Sequence, residues 1–239
     1  MRVPLLCYHR VELPPAGAAS DSNFVTPALF AEHMQMLAAH GFVGVTVRDV
    51  TRWQRREIEL PSRAVAITFD DAYESVQQHA LPILAKYGWP CTVYVVTSQV
   101  GGSNVWDPAA PRAQLMDAVA LRALAHAGHD IGSHSRRHRR IRGLDFDSAR
   151  DELAGSRDEL EAHIGAPVES FALPYGSHDK RTLAMVRAAG YRSACTLKRW
   201  ANGRATNPLR LGRMSVGGPL PAWQLRLKIL KMFLTPALA

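Results

Sequence analysis

The sequence predicts a single α/β domain over residues 1–239, in which parallel β-strands alternate with helices. Short apolar or β-branched runs alternate with segments whose apolar residues recur at helical spacing. Two of the predicted strands end in carboxylates or histidines, and α/β enzymes carry their chemistry at the carboxyl ends of their strands. No break in composition indicates a second domain.

The predicted elements follow the chain in order. The first half contains strands over residues 5–11 and 42–47, a helix over 27–40, a short basic helix or turn over 48–55, a strand ending at residue 70, and a helix over 73–87 bent by Pro82. The second half contains strands over 91–97, 130–134, 168–173, 191–196 and 209–216, and helices over 115–127, 145–163 and 179–189. The basic and apolar residues of the C-terminal segment predict an amphipathic helix over 221–234. It either packs on the domain or lies on an anionic membrane.

One apolar run ends in two adjacent carboxylates. Residues 64–71 read AVAITFDD, which indicates a buried strand ending at Asp70 and Asp71. Consecutive strand residues point to opposite faces, so both carboxylates reach one site only where the strand gives way to a loop. A solvated strand end that caps the next helix is the alternative.

A second strand-like run ends in two histidines. Residues 130–138 read DIGSHSRRH, and His134 and His138 are one helical turn apart. If the chain turns there, both imidazoles and one carboxylate of the Asp70 and Asp71 pair form a three-ligand metal site with an open position. Such a set suits Zn²⁺ best, and Co²⁺, Ni²⁺ and Fe²⁺ accept the same ligand types. Solvated or structural histidines are the alternative.

Three ordered motifs carry a resemblance to a known family. TFDD, HSRRH and FALPYG, at residues 68–71, 134–138 and 171–176, resemble the first three motifs of the polysaccharide deacetylases, the NodB-homology carbohydrate esterases of family 4 type. The resemblance extends from about residue 5 to residue 216. It implies a distorted, incomplete (β/α) barrel, related to the TIM barrel, with its site at the carboxyl ends of the strands.

The resemblance also implies roles for individual residues. Asp71, His134 and His138 correspond to the metal ligands, and Asp70 to the general base that takes a proton from the attacking water. Tyr175 resembles the residue whose backbone N–H helps to bind the oxyanion, although a simple Pro-Tyr-Gly turn explains the same letters.

The sequence departs from the family pattern in three places. The C-terminal segment, residues 209–216, lacks the histidine that protonates the leaving amine in many members. A branch that looks circularly permuted places this histidine in an N-terminal YH motif, which matches His9 in CYHRV. A core histidine at a strand end is the alternative. Ala172 stands where the family often has an arginine that contacts the base, and Ala72 stands where glycine usually follows the aspartates.

Other histidines and a run of arginines are further candidates for functional residues. His33, His40, His79 and His163 fall on predicted helices and are expected at the surface. The run SRRHRRIR at residues 135–142 is a solvated loop or a site for a phosphate or carboxylate of the substrate.

The formal net charge of +8 suggests an anionic partner, but aromatic residues are not interleaved with the basic ones as nucleic-acid binding would need. The start of the chain does not resemble a signal peptide, so we expect a cytoplasmic protein, either free or peripheral to the inner face of the membrane through its tail helix.

These observations predict a metal-dependent hydrolase of carbon–nitrogen bonds that removes the N-acetyl group of an amino sugar. The carbohydrate substrate is a polysaccharide or a glycan precursor that is anionic or lipid-linked. Hydrolysis of a non-sugar amide or cyclic imide on the same fold, and glycan binding without catalysis, are the alternatives. The sequence does not predict an oligomeric state.

Overall fold

A computed structural model describes residues 1–15 and 23–236 of the chain. Its strands are short and mostly buried. They are β1 (Arg2–Val3), β2 (Leu5–Tyr8), β3 (Arg10–Val11), β4 (Phe24–Val25), β5 (Val43–Val45), β6 (Ala64–Phe69), β7 (Thr92–Val95), β8 (Asp130–Ser133), β9 (Ser170–Ala172), β10 (Ser193–Cys195), β11 (Asn202–Gly203) and β12 (Met214–Ser215).

The main sheet is parallel throughout, and its strand order is β10-β9-β8-β7-β6-β2-β12, with β5 also paired to β6. The N-terminal strand β2 therefore lies between β6 and the C-terminal strand β12. At the opposite edge, Leu211 forms a parallel bridge with Cys195 of β10. Residues 211–215 thus join the two edges of the curved sheet and almost close the barrel.

Helices connect the strands. They are α1 (Pro27–Ala39), α2 (Val47–Gln54), α3 (Leu81–Ala85), α4 (Ala118–His126), α5 (Phe146–Arg150), α6 (Ser156–Ile164), α7 (Lys180–Ala188) and α8 (Ala222–Leu234). The side chains of Thr26, Thr46, Asp117, Asp145 and Asp179 accept a backbone N–H at the start of five of them.

The two faces of strand β6 differ in side-chain size. On β6, Val65, Ile67 and Phe69 pack outward among the helices, whereas Ala64 and Ala66 face the interior of the barrel. Because successive strand residues alternate between faces, this pattern puts bulk under the helices and small groups inside the curve. The curvature and the order of elements agree with the predicted incomplete (β/α) barrel.

Two sequence expectations need correction at the level of single elements. The predicted helix over 73–87 is helical over residues 76–85 and contains a π-helical turn, Val76–Ala80, directly before Pro82. The wider turn accommodates a residue that has no N–H to donate. The strand expected over 5–11 divides into β2 and β3 at His9.

His33 is the clearest error among the surface predictions. Its side chain is fully buried on α1, where Nε2–H donates to the Leu220 carbonyl at 2.8 Å and Nδ1 lies 3.2 Å from the Tyr8 hydroxyl. The imidazole thus ties α1 to β2 and to the segment before α8. Helical spacing placed His33 one position before the apolar Met34, and both fall on the buried stripe.

Asp130, at the start of β8, provides a test of the buried electrostatics. It accepts hydrogen bonds from the Arg48 N–H at 3.2 Å and the Thr92 hydroxyl at 3.2 Å, yet burial raises its pKa to about 6. The unfolded carboxyl ionises at its ordinary pKa near 4. Ionisation therefore costs the folded state stability as the pH rises from about 4 through about 6, and the loss persists above that window.

We expect Asp130→Asn to raise the free energy of unfolding by about 2 kcal/mol near pH 8 and by much less near pH 4. Chemical denaturation at both pH values measures this difference. Asp158→Asn changes an exposed carboxylate on α6 and serves as the control. Equal effects of Asp130→Asn at the two pH values would contradict the assigned cause.

Candidate active site

The carboxylates of Asp70 and Asp71 face one site because the backbone turns between them. The Asp70 N–H still donates to the Tyr8 carbonyl at 2.9 Å, which continues the ladder between β6 and β2. Asp71 then has a φ of 74° and Ala72 a φ of 58°, both in the left-handed region. This turn cancels the strand alternation that would otherwise separate the two side chains. Glycine would adopt the φ of residue 72 without the strain that the side chain of Ala72 imposes.

The two histidines follow β8 at the same edge of the sheet. The His134 N–H donates to the Val95 carbonyl at 2.7 Å, so His134 is held by the neighbouring strand β7. Its Nδ1–H donates to the Ala172 carbonyl at 2.8 Å, which leaves Nε2 with the free lone pair. His138 returns to the same side through a turn in which Ser135 and His138 have φ values of 67° and 59°.

Asp71, His134 and His138 converge on one point. The Nε2 atoms of the two histidines are 3.2 Å apart, and Asp71 Oδ1 lies 3.7 Å from His134 Nε2 and 3.5 Å from His138 Nε2. A tetrahedral zinc ion with bonds of about 2.0–2.2 Å separates its ligand atoms by about 3.4 Å. Asp71 Oδ1 is buried and accepts no hydrogen bond from the described residues. The donor set therefore fits one divalent cation.

Protonation of the three groups is consistent with cation binding. Burial raises the pKa of Asp71 well above its ordinary value, and the neighbouring Asp70 adds to this effect. Burial lowers the pKa of His134 to about 4 and, together with repulsion from His134, that of His138 to about 2. Both imidazoles are thus neutral near pH 7 and can act as ligands, while a bound cation would favour ionised Asp71.

Asp70 is paired with a buried arginine from the far end of the chain. Arg213 Nη1 and Nη2 donate to the two carboxylate oxygens of Asp70 at 2.6 and 2.8 Å, and the arginine side chain is fully buried. Nη1 also donates to the Thr68 hydroxyl at 3.1 Å. Burial alone would raise the pKa of Asp70, but the Arg213 guanidinium, with His134, holds it well below its ordinary value. Asp70 is therefore a carboxylate over the whole physiological range.

His9 lies close to the carboxylate of Asp70. It occupies the single residue between β2 and β3, and its ring, the Cys7 thiol and the Asp70 carboxylate have donor atoms within 4.8 Å of one another. The Cys7 thiol donates to Asp70 Oδ2 at 3.3 Å. Asp70 thus lies beside both His9 and the candidate ligand His134, whose Nε2 is 3.8 Å from Asp70 Oδ2.

Aromatic side chains form the rim of the site. The Tyr175 and Trp106 rings contact the His138 ring at centroid distances of 4.8 and 5.1 Å, and the Arg140 guanidinium lies 4.0 Å from the centroid of the Tyr175 ring. Tyr175 itself has a φ of 59° and is 48% exposed. The rim thus offers ring faces suited to the apolar faces of a sugar.

The arginine run is mostly neutralised by the protein itself. Arg136 contacts Asp151 at 2.5 Å and Glu159 at 2.6 Å, and Arg137 contacts Asp151 at 2.6 Å and Glu152 at 3.2 Å. These pairs tie the histidine loop to α6 and to the π-helical turn Asp151–Gly155 before it. The expected phosphate or carboxylate site in this run therefore finds no support from Arg136 and Arg137.

Sequence reasoning missed Arg213. The segment LRLGRMSV offers two arginines, and only the closure of the barrel by residues 211–215 singles out the one that faces inward. Arg213 supplies a guanidinium to Asp70 although residue 172 is alanine, so the departure at Ala172 does not leave Asp70 without a cation. An available signal was the need for some guanidinium opposite a buried carboxylate.

The ion pair yields a stability prediction. We expect Arg213→Met to lower the free energy of unfolding by about 3–5 kcal/mol, since it leaves the Asp70 charge buried and unpaired. The double variant Asp70→Asn with Arg213→Met removes both charges and should recover most of the loss. Urea denaturation of the four proteins in this cycle measures the coupling. Additive effects would contradict a direct buried pair.

Comparison with solved structures places the fold among deacetylases. "Streptococcus pyogenes deacetylase PplD in complex with acetate" superimposes with a TM-score of 0.83 at 21% identity and covers 96% of this chain and 98% of its own. The structure of IcaB from Ammonifex degensii superimposes with a TM-score of 0.82 at 25% identity over 95% of this chain and 97% of its own. These likenesses confirm the incomplete barrel.

Sequence comparisons also find similarity to deacetylases. YxkH of Bacillus subtilis is 24% identical over 215 residues, which cover 90% of this chain and 71% of that protein. A poly-beta-1,6-N-acetyl-D-glucosamine N-deacetylase of Staphylococcus aureus is 22% identical over 201 residues, 80% of this chain and 67% of that protein.

The described helices include none that is long and apolar enough to cross a membrane. The compartment stays a prediction. The family profile described as polysaccharide deacetylase matches residues 57–194, which is more than half of the chain and contains the aspartate, histidine and FALPYG motifs. The chain therefore belongs to the polysaccharide deacetylase family, hydrolases of carbon–nitrogen bonds.

Proposed function

We propose that this protein removes N-acetyl groups from the amino sugars of a polysaccharide in a metal-dependent reaction. The observation that carries the proposal is that a paired carboxylate, Asp70, lies close both to a three-ligand cation set and to His9. Hydrolysis of an amide needs a base for the attacking water and an acid for the leaving amine, and this arrangement offers both.

Asp71, His134 and His138 are the residues that would hold one divalent cation, and Zn²⁺ suits two imidazoles and one carboxylate with an open position. A cation there polarises the amide carbonyl and lowers the pKa of water. The hydrogen bond from His134 to the Ala172 carbonyl keeps the correct imidazole nitrogen available.

Asp70 serves as the general base. Its bidentate contact with Arg213 fixes the orientation of the carboxylate and keeps it ionised, so that it can accept a proton from the attacking water. The same contact makes Asp70 a weaker base than an unpaired buried carboxylate. We propose that this compromise favours correct geometry over basicity.

His9 serves as the acid that protonates the leaving amine. An amine is a poor leaving group unless it gains a proton as the bond breaks, and His9 lies beside Asp70. The backbone N–H of Tyr175 is proposed to bind the developing oxyanion, where one such donor contributes about 3 kcal/mol.

The substrate class follows from the rim and from the relatives. Ring faces of Tyr175 and Trp106 beside His138 suit a pyranose, and the Staphylococcus aureus relative is named for a β-1,6-linked N-acetylglucosamine polymer. Cyclic imides and other small amides are the competing substrates.

The metal and the base can be tested together. We expect one divalent ion per wild-type chain by elemental analysis, and deacetylation of N-acetylglucosamine oligomers that a chelator abolishes. His134→Ala should lose the ion. Asp70→Asn should keep the ion and lose at least about a hundredfold in kcat, since it removes the base.

Circular dichroism and thermal unfolding control for the unpaired Arg213 in Asp70→Asn. If folded wild-type protein binds no metal after reconstitution, the cation site is wrong. If it binds glycan oligomers and metal without turnover on sugars or imides, the binding-module alternative replaces the enzyme.

His9 gives a second prediction, based on the leaving group. We expect His9→Ala to slow amide hydrolysis by about 10²–10⁴-fold but to affect an activated aryl acetate far less, because a phenolate departs without a proton. The ratio of the two kcat/KM values, compared between wild type and variant, checks this. His79→Ala, at an exposed position before α3, is the matched control. Equal losses on both substrates would contradict the role of His9 as acid.

A further inference from the structure

Helix α8 is apolar on two opposite faces. Leu225, Ile229 and Met232 are buried against the domain, whereas the other apolar residues lie in solvent. The exposed set is Trp223 at 63%, Leu227 at 48%, Leu230 at 49% and Leu234 at 83%. At about 100° per residue these four lie within about 60° of the helix circumference. They form a continuous strip along the whole helix, hereafter the outer strip.

Cations flank the outer strip. Arg226 borders the outer strip on one side of the helix and Lys231 borders it on the other. Lys228 lies beyond Lys231 around the helix, and all three side chains are exposed. The helix contains no acidic residue. Within residues 1–15 and 23–236, no carboxylate lies within 4 Å of these three cations. An apolar strip bordered by uncompensated positive charge is typical of helices that lie in a lipid interface.

A cavity of about 500 Å³ adjoins the outer strip. Its lining includes Arg226, Leu230 and Phe233 of α8 and adds Arg2, Arg63 and the apolar side chain of Phe42. Arg2 and Arg63 are exposed. An apolar floor with guanidinium groups at its edge suits a phosphate-bearing headgroup with the first part of an acyl chain.

We infer that the outer strip and this cavity form a docking surface for an anionic lipid bilayer. The leucines and Trp223 enter the boundary between headgroups and acyl chains, while Arg226, Lys231, Arg2 and Arg63 contact lipid phosphates. Charge argues against a second copy of this chain as the occupant. A twofold contact across the strip would bring like charges together without an acidic partner from α8.

The surface is separate from the candidate active site. The cavity includes Ala64, the first residue of β6, whereas Asp70 and Asp71 follow the last residue of that strand. Lipid binding at α8 therefore leaves the site open, and changes in the outer strip should not alter turnover of a small soluble substrate. The inference does not depend on which acyl group or sugar the enzyme uses.

The test is co-sedimentation of the full chain with vesicles of phosphatidylcholine, with and without phosphatidylglycerol. We expect binding to the anionic vesicles only, weakening as salt is added. Leu227→Gln with Leu230→Gln should weaken binding by about tenfold or more. Arg226→Gln with Lys231→Gln should weaken it by roughly tenfold to thirtyfold.

Matched controls distinguish binding through this surface from nonspecific hydrophobic binding and from the effect of net charge. Val119→Gln with Phe146→Gln removes apolar residues that are 71% and 65% exposed elsewhere, and Arg122→Gln with Arg187→Gln makes the same change in net charge. Both should bind as the wild type does. Thermal unfolding and hydrolysis of a soluble aryl acetate report that each variant is folded.

Three outcomes would overturn the inference. The first is no binding to either vesicle, and the second is binding that the controls reduce as much as the α8 variants do. The third is a concentration-dependent dimer in vesicle-free sedimentation that Leu227→Gln with Leu230→Gln abolishes, which would assign the strip to self-association.

Discussion

The bidentate contact between Arg213 and Asp70 is the constraint on which the rest of the site depends. Both side chains are buried, and neither charge is tolerated there without the other. The guanidinium also lies 5.2 Å from the centroid of the Tyr94 ring. That ring in turn lies against Gly132 of β8, where an added Cβ would come within 2.5 Å of it. Gly132 thus leaves room for the Tyr94 ring, which packs beside the Arg213 guanidinium.

Backbone strain is concentrated at the same edge of the sheet. Asp71, Ala72, Ser135, His138 and Tyr175 are non-glycine residues with positive φ, and all belong to the three motifs or directly follow them. Each such conformation costs on the order of 1 kcal/mol or more and persists only where the surroundings enforce it. The strain directs consecutive or near-consecutive side chains to one point, which a regular strand or helix cannot do.

Much of the fold could be predicted from the sequence because its physical causes are local. Helical spacing and N-caps at Thr26 and Asp145 predicted α1 and the long helix that begins with α5, and the run at residues 64–69 predicted β6. The convergence of Asp71 with His134 and His138 was predictable from motif spacing and the resemblance. Arg213 and the burial of His33 were not, because both depend on which distant segments meet, a property that no local pattern encodes.

The buried carboxylate of Asp70 and its counter-charge come from segments 143 residues apart. A ribosome releases β6, the histidine loop and the FALPYG turn well before it releases residue 213. Until then the interior contains a carboxylate without its cation, which disfavours a compact, dry interior. Residues 211–215 both bridge the two edges of the sheet and deliver the guanidinium. Closure of the barrel and pairing of Asp70 therefore both depend on residues 211–215, so that no partly made chain without this segment contains the Asp70–Arg213 pair.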